Sequence, residues 1–392
     1  MKKINCHISH TDLLHASRLR KETETLIKSG LADEVVVFGK RTEGLPEFER
    51  VDSKRIFIRF KLLKSKLFPR ALSLFLGYII WGAGIVRWRF DGKLVLINCH
   101  SLSVLPIGIV LKLWKGASLV YDTHELETEQ NGTPVGGNKV LKILEKFMLR
   151  FVDETIVVSE SIADWYKSSY GLGKRPYVVR NLPPLAWAVQ NPRDAVNLRE
   201  KFSIPIDAII YIYHGGVTID RSIPLMLDVF SELSWNQHLI IMGYGPLVEM
   251  VREASERKNN IHYLAPVESG RVVGYISGAD CAICLIENSC LSYYFSLPNK
   301  LFESIMAKIP IVVSDFPEMA KIVDSYGVGW KIQVSRESLR NFILSLSRQD
   351  IDSKSARLEE ASRSLNWENE SARLDSVYFR AVDHDRNKQI LK

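Results

Sequence analysis

The chain has 392 residues, 46% of them hydrophobic and 25% charged, which is too much for one ordinary core and fits two globular domains of roughly 150–200 residues. Its five cysteines, at 6, 99, 281, 284 and 290, argue against a disulfide framework and fit a reducing cytoplasm, and the opening "MKKINCHISHTD" lacks the apolar stretch of a signal peptide. The net charge of +7 is unevenly placed: residues 50–93 hold eleven Lys or Arg against two acids, so the remainder is slightly acidic.

Short runs rich in Val, Ile and Tyr alternate with helical patterns along the first half. The expected strands are "KINCHI" (3–8), "EVVVFG" (34–39), "KLVLINC" (93–99), "SLVYDTH" (118–124) and "ETIVVS" (154–159). Between the first two, "LLHASRLRKETETLIKSG" reads as a helix closed by Gly30. Continuous apolar strands separated by helices indicate parallel sheets covered on both faces. Inside the basic block, "ALSLFLGYIIWGAGIV" (71–86) carries no charge, yet at sixteen residues it is short of the roughly 20 a membrane span needs. Two readings fit it: a buried helix of an α/β domain preceded by a basic loop, or an interfacial helix whose cationic flanks meet anionic lipid. Nucleic acid is not expected, because no aromatic strand platform or binding motif accompanies the charge.

"VVRNLPPLAWAVQNPRD" (178–194), with three prolines, reads as an inter-domain connection. The alternation then restarts with "AIIYIYHGG" (208–216), "HLIIMGYG" (238–245), "NIHYLAP" (260–266), "ADCAICLIE" (279–287), "IPIVVSD" (309–315) and "GVGWKIQ" (327–333). The expectation is an α/β chain of two Rossmann-like, doubly wound domains facing a cleft at the carboxyl ends of their strands. The first takes residues 1–180 with the closing helix from 365–392 packed back on it, 181–206 form the linker, and 207–364 form the second domain.

Three constellations can carry chemistry. In "YHGGVTIDRS" a strand ends at two glycines, Gly215 and Gly216, and a helix begins near Ser222, a geometry suited to phosphate. Arg221 at that helix start opposes the bare dipole unless an anion is bound there. In "SLPNKLFESIM", Lys300 and Glu303 stand one turn apart after Leu297, Pro298 and Asn299; either the helix dipole alone places the glutamate, or the first turn touches a charged ligand. In "YDTHELETEQ", Asp122, His124 and Glu125 crowd a strand end with Glu127 and Glu129, where a carboxylate can orient a histidine. His100 ends the preceding strand, and Asp12 ends the first one as a cleft residue or simply a cap. "CAIC" (281–284) reads as buried thiols, and "DID" (350–352) and "DHD" (383–385) as solvated termini rather than metal ligands.

At these residues the chain resembles the GT-B glycosyltransferases and, among them, the large retaining family 4. The likeness runs through "LRKETETLIKSGLADEVVVFG", "ETIVVSESIADWYKSSYG", "YHGGVTIDRSIPLMLDVF", "LIIMGYGPL" and the terminal "NWENESARLDSVY", and is most specific over "IHYLAPVESGRVVGYISGADCAICLI" and "SLPNKLFESIMAKIPIVVSD". The resemblance implies a nucleotide-diphosphate donor, UDP- or GDP-sugar, held by the second domain. By position, Arg221 and Lys300 would meet its diphosphate, Gly215 and Gly216 its phosphates, Leu264, Ala265 and Pro266 its base, and Glu303 its ribose, with Leu297 to Asn299 beside them and His124 near the transferred sugar. It also implies retention of configuration, no metal and no cofactor. The glutamate that the family often places eight positions before the ribose-binding one is Phe295 here. The "P-x-K-L-x-E" form resembles bacterial polysaccharide and O-antigen enzymes, which points to a glycan acceptor in cell-surface polysaccharide biosynthesis; the basic block 50–93 beside its apolar segment adds the expectation of a lipid-linked acceptor and of a cytoplasmic enzyme peripheral to the inner membrane face. A nucleotide-sugar 2-epimerase and a non-catalytic partner subunit of the same fold are the rival expectations.

Overall fold

The computed structural model describes residues 1–14, 16–62, 69–131, 137–188, 196–233 and 236–390, of which 384–390 are described by their backbone alone. Parts of the expected basic block (63–68) and linker (189–195), and the side chains of His384 and Asp385 in the "DHD" motif, lie outside the described residues. Two compact units result: Met1–Val179 with Ser371–Lys392, and Arg180–Glu370. The expected linker segment 181–206 falls within the second unit.

The first unit is an eight-stranded sheet built from β1 (Lys3–Ile8), β2 (Glu34–Arg41), β3 (Phe48–Arg50), β4 (Arg55–Lys61), β5 (Lys93–Cys99), β6 (Ser118–Asp122), β7 (Glu154–Val157) and β8 (Tyr177–Val178). Their order is β3-β4-β2-β1-β5-β6-β7-β8, parallel except for the β3–β4 pair. The helices are α1 (Ser17–Lys28), α2 (Arg70–Arg87), α3 (Leu105–Lys115), α4 (Gly137–Met148) and α5 (Glu160–Tyr170). Strand order reverses between β1 and β5, so the crevice at their carboxyl ends is where this topology places a ligand.

Where the basic segment ahead of α2 is described, Arg55–Lys61, it is a strand and not the expected loop. In "RIFIRFK" Ile56, Phe57 and Ile58 are buried as β4 pairs with β2, and Arg59 is 1% exposed. The Arg59 guanidinium donates to the Asp12 carbonyl at 2.9 Å and pairs with Glu49 at 2.6 Å, so a residue that reads as surface charge is structural. Helix α2 buries one stripe, Ser73, Gly77, Trp81, Gly82 and Ile85, and leaves Leu72, Leu74, Phe75, Ile79 and Ile80 exposed. A Cβ at Gly82 would meet Ile107 of α3 at 3.1 Å, and the Trp81 indole donates to the Gly39 carbonyl at 3.2 Å.

The second unit holds β9 (Ile209–Gly216), β10 (Gln237–Tyr244), β11 (Ile261–Leu264), β12 (Cys281–Cys284), β13 (Ile311–Ser314) and β14 (Gly329–Ile332), all parallel in the order β11-β10-β9-β12-β13-β14. Its switch point lies between β9 and β12. Around it run α6 (Leu198–Phe202), α7 (Ile223–Ser231), α8 (Val248–Arg257), α9 (Ser269–Ile276), α10 (Leu291–Tyr294), α11 (Asn299–Met306), α12 (Pro317–Tyr326), α13 (Arg336–Ser345), α14 (Arg348–Asp352) and α15 (Ser355–Ser364). Helix α16 (Trp367–Ile390) closes the chain; its Leu374, Val377 and Tyr378 are buried in the first unit, where the Ser118 hydroxyl donates to the Ala381 carbonyl at 2.9 Å. Cys281 and Cys284 are fully buried in β12, and burial raises both thiols; Asp350 completes a capping box with Ser347.

Candidate functional site

In the second unit the residues singled out gather where β9 ends. Gly215 has φ 107°, a conformation open to glycine at little cost, and a Cβ there would sit 3.0 Å from the Lys300 ammonium. The loop that follows is strained, with Asp220 and Ser222 both at positive φ (66° and 52°). That bend carries the Arg221 guanidinium to 4.5 Å above the Tyr293 ring, with Nη1 buried and without a hydrogen-bond partner. Lys300 lies in the first turn of α11, behind Pro298, which caps with no side chain. Its Nζ stands 5.0 Å over the Tyr213 ring. Burial lowers the Lys300 pKa, and the Arg221 charge lowers it further against the opposing pull of Cys284 and Glu303. Two cations that repel each other in a half-buried place are a site arranged for an anion.

Glu303, one turn on, accepts a hydrogen bond from His214 Nε2 at 2.9 Å, a partner missed at the level of sequence although His214 directly precedes the two glycines. His214 Nδ1 and the Ser222 hydroxyl are buried without partners. Leu297 is buried beneath the turn, and Asn299 Oδ1 accepts from Asn181 at 2.9 Å. Leu264 is buried at the end of β11, while Ala265 and Pro266 just beyond it are exposed. Phe295 caps α10, with its ring tilted against Tyr294 at 5.5 Å.

In the first unit a different cluster occupies the β1/β5/β6 ends. Asp122 is fully buried and receives a two-pronged bond from Arg18 of α1, Nε to Oδ2 at 3.0 Å and Nη2 to Oδ1 at 2.8 Å. The register sets His7 opposite Asn98, whose amide lies 3.3 Å from His7 Nε2. With that nitrogen accepting, His7 Nδ1 donates to His100 Nε2 at 2.6 Å, and His100 Nδ1–H points at Asp122 Oδ2 at 3.3 Å. His124 Nε2 donates to the same oxygen at 3.2 Å. In this arrangement Asp122 accepts from three residues, and His100 Nδ1 also lies 3.2 Å from His124 Nε2, so the two rings meet at the same carboxylate.

Burial would raise the Asp122 carboxyl, but Arg18 first, then His124 and the bond from His100, hold it well below the usual range. Glu22, also buried and 2.8 Å from Arg18 Nε, is pushed up by burial and by the Asp122 charge. Burial lowers His7 and His100. His7, Glu22 and His100, or His100, Asp122 and His124, come close enough to offer ligand atoms to an ion, but the Arg18 guanidinium already supplies positive charge to both carboxylates. Glu125 is exposed, and Asp12 accepts from the Leu14 amide at 3.1 Å, so it closes a turn and does not cap α1, which begins at Ser17. Arg18, Glu22 and His7 escaped sequence reading because a polar helix face and a strand histidine carry no motif.

Residues 23–182 match the model of Glycosyltransferase Family 4, and residues 209–348 match that of Glycosyl transferases group 1. Among solved structures, sucrose-phosphate synthase from Thermosynechococcus elongatus is 15% identical with a TM-score of 0.78, covering 97% of this chain and 99% of its own. HepE from Anabaena, in complex with UDP-glucose, is 14% identical with a TM-score of 0.72, covering 96% and 99%. The α,α-trehalose 6-phosphate synthase of Burkholderia multivorans is 12% identical with a TM-score of 0.67, covering 98% and 100%. Sequence comparison with curated proteins finds no match. With its two halves matched in turn by glycosyltransferase models and its fold shared with enzymes of that architecture, the chain is a GT-B glycosyltransferase.

Proposed function

We propose that the protein moves a sugar from a UDP- or GDP-sugar to an acceptor hydroxyl, with retention of configuration. The observation that carries the donor is the pair Arg221 and Lys300: two cations at the switch point of one sheet, one with an orphaned N–H and the other with its pKa lowered by burial. A diphosphate would satisfy both, and charge growing on the leaving nucleoside diphosphate would be stabilised where it forms. Glu303, held by His214, would accept the ribose hydroxyls; the exposed backbone at Ala265 and Pro266 would meet the base. HepE, of the same fold, is described in complex with UDP-glucose, which supports a nucleotide-sugar donor. His124, fixed on Asp122, would hydrogen-bond the transferred sugar.

Because the two side-chain cations would do the work of a metal, transfer is proposed to need none, and chelator should leave the rate unchanged. Retention rests on the family likeness and is read by NMR of the product anomer. The acceptor is proposed to be a glycan, lipid-linked and presented at the cytoplasmic membrane face, as part of cell-surface polysaccharide synthesis. Calorimetric titration with UDP and GDP tests the core of this reading. Binding of one or both is expected; binding of neither favours the non-catalytic subunit that Phe295, in place of a glutamate, keeps as the second reading. An epimerase would instead convert free nucleotide sugar without acceptor.

A further inference from the structure

Helix α4 is inside out. Its one buried side chain is Glu145, whose carboxylate accepts from the hydroxyls of Tyr121 at 2.8 Å, Tyr166 at 2.6 Å and Tyr170 at 2.6 Å. Its apolar residues point the other way: Val140, Leu141, Ile143, Leu144 and Phe147 are 36–69% exposed. A surface helix ordinarily does the reverse. Helix α2 shares the inversion, since it buries mainly small residues and exposes Phe75, Ile79 and Ile80. Helix α3, which touches both α2 and α4, adds Leu113 and Trp114. Thirteen of the 23 large hydrophobics exposed among the described residues lie on these three helices, whereas those of the second unit are scattered singly. A contiguous face of this kind marks an interaction site.

The charge around the face selects the occupant. The three helices carry Arg70, Arg87, Lys112, Lys115, Lys139, Lys142 and Lys146, and their only acid is the buried Glu145. Lys112 and Lys142 are paired, with Asp153 and Glu129; the others add positive charge alone. A second copy docked by a two-fold axis would set like charges against like. An apolar face bordered by cations complements an anionic bilayer surface. Helix α2 is long and apolar enough to cross a membrane, but its buried stripe, with Gly82 against Ile107 of α3 and the Trp81 indole on the Gly39 carbonyl, ties it to the first unit as a surface helix.

We propose that α2, α3 and α4 form a lipid-docking face that places their outward apolar side chains among the headgroups of an anionic membrane. This rests on the membrane-facing part of the proposed function and, within the 50–93 block, keeps only α2 as the contact and extends it to α3 and α4, because Arg59 of that block is already engaged within the protein.

The test is flotation of the full chain with phosphatidylcholine vesicles, alone or mixed with phosphatidylglycerol, alongside UDP calorimetry, melting curves and size-exclusion chromatography. The wild type should float with the anionic vesicles and be released by salt. Ile143→Glu with Phe147→Glu, and separately Lys139→Glu with Lys146→Glu, should each weaken binding by about tenfold or more, at unchanged UDP affinity and Tm. No flotation of the wild type at low salt overturns the proposal, as does equal flotation of all variants. A dimer that the Ile143→Glu variant dissolves, without lipid binding, overturns it in favour of a protein interface. Retained UDP binding in any of these outcomes leaves the transferase reading standing, and loss of UDP binding with flotation intact removes that reading alone.

Discussion

The two switch points of this molecule differ in how their charges are met. In the first unit the Asp122 carboxylate itself is met by protein donors: Asn98, His7 and His100 pass hydrogen bonds inward, His124 adds one, and Arg18 neutralises the charge, while the Glu22 oxygens, Asn98 Oδ1 and the Tyr378 hydroxyl beside them are buried without a hydrogen bond. In the second unit the corresponding place is left incomplete, with Arg221 Nη1, His214 Nδ1 and the Ser222 hydroxyl all buried and unpartnered. A carboxylate met by three donors orients one histidine from within the protein; a pair of cations with an unpartnered N–H is arranged for a ligand that supplies acceptors.

That contrast breaks in different ways on each side. The largest effect is expected from Arg18→Met, which strands the Asp122 carboxylate in the interior and should cost about 3–5 kcal/mol of stability, seen in denaturant melts, with UDP affinity unchanged in whatever remains folded. Lys300→Ala should do the converse. It removes a cation that burial already disfavours, so Tm should hold or rise, while kcat falls about 10²–10³-fold.

A pH series sharpens the comparison. Burial, with the nearby Glu145 and Glu125 charges, pushes Glu127 up to about 8 from an unfolded value of 4.5. A carboxyl raised by folding stabilises fully below its unfolded pKa, and that contribution is lost as pH rises through the folded one. Glu127→Gln should therefore gain in Tm relative to the wild type as pH rises from about 4.5 to about 8. The smallest effect belongs to Asn98→Ala, where one hydrogen bond to His7 is lost, for about 1 kcal/mol in a denaturant melt.

How much of this was legible depended on what burial does to polar residues. Strands such as "EVVVFG" and "AIIYIYHGG" announce themselves because both faces of a parallel sheet are covered and their central positions form an unbroken apolar run. Strand β4 did not, because Arg55, Arg59 and Lys61 interrupt "RIFIRFK", and no pattern says that Arg59 would find a carbonyl and a carboxylate in the interior. The donor-side residues were visible because Gly215, Arg221, Lys300 and Glu303 sit in short local motifs. Arg18, 104 residues from Asp122 along the chain, could only be found in three dimensions. The same holds for α4: "KVLKILEKFM" reads as an amphipathic helix, but which face turns inward is decided by three tyrosines from elsewhere in the chain.

The claim that the second unit's open cationic site receives a nucleoside diphosphate is tested most directly by calorimetric titration of UDP and GDP into the wild type, Arg221→Ala and Lys300→Ala at matched Tm. Binding of at least one nucleotide by the wild type, weakened tenfold or more in both variants, is the expected result. Binding of neither nucleotide, or equal binding by all three proteins, would contradict it.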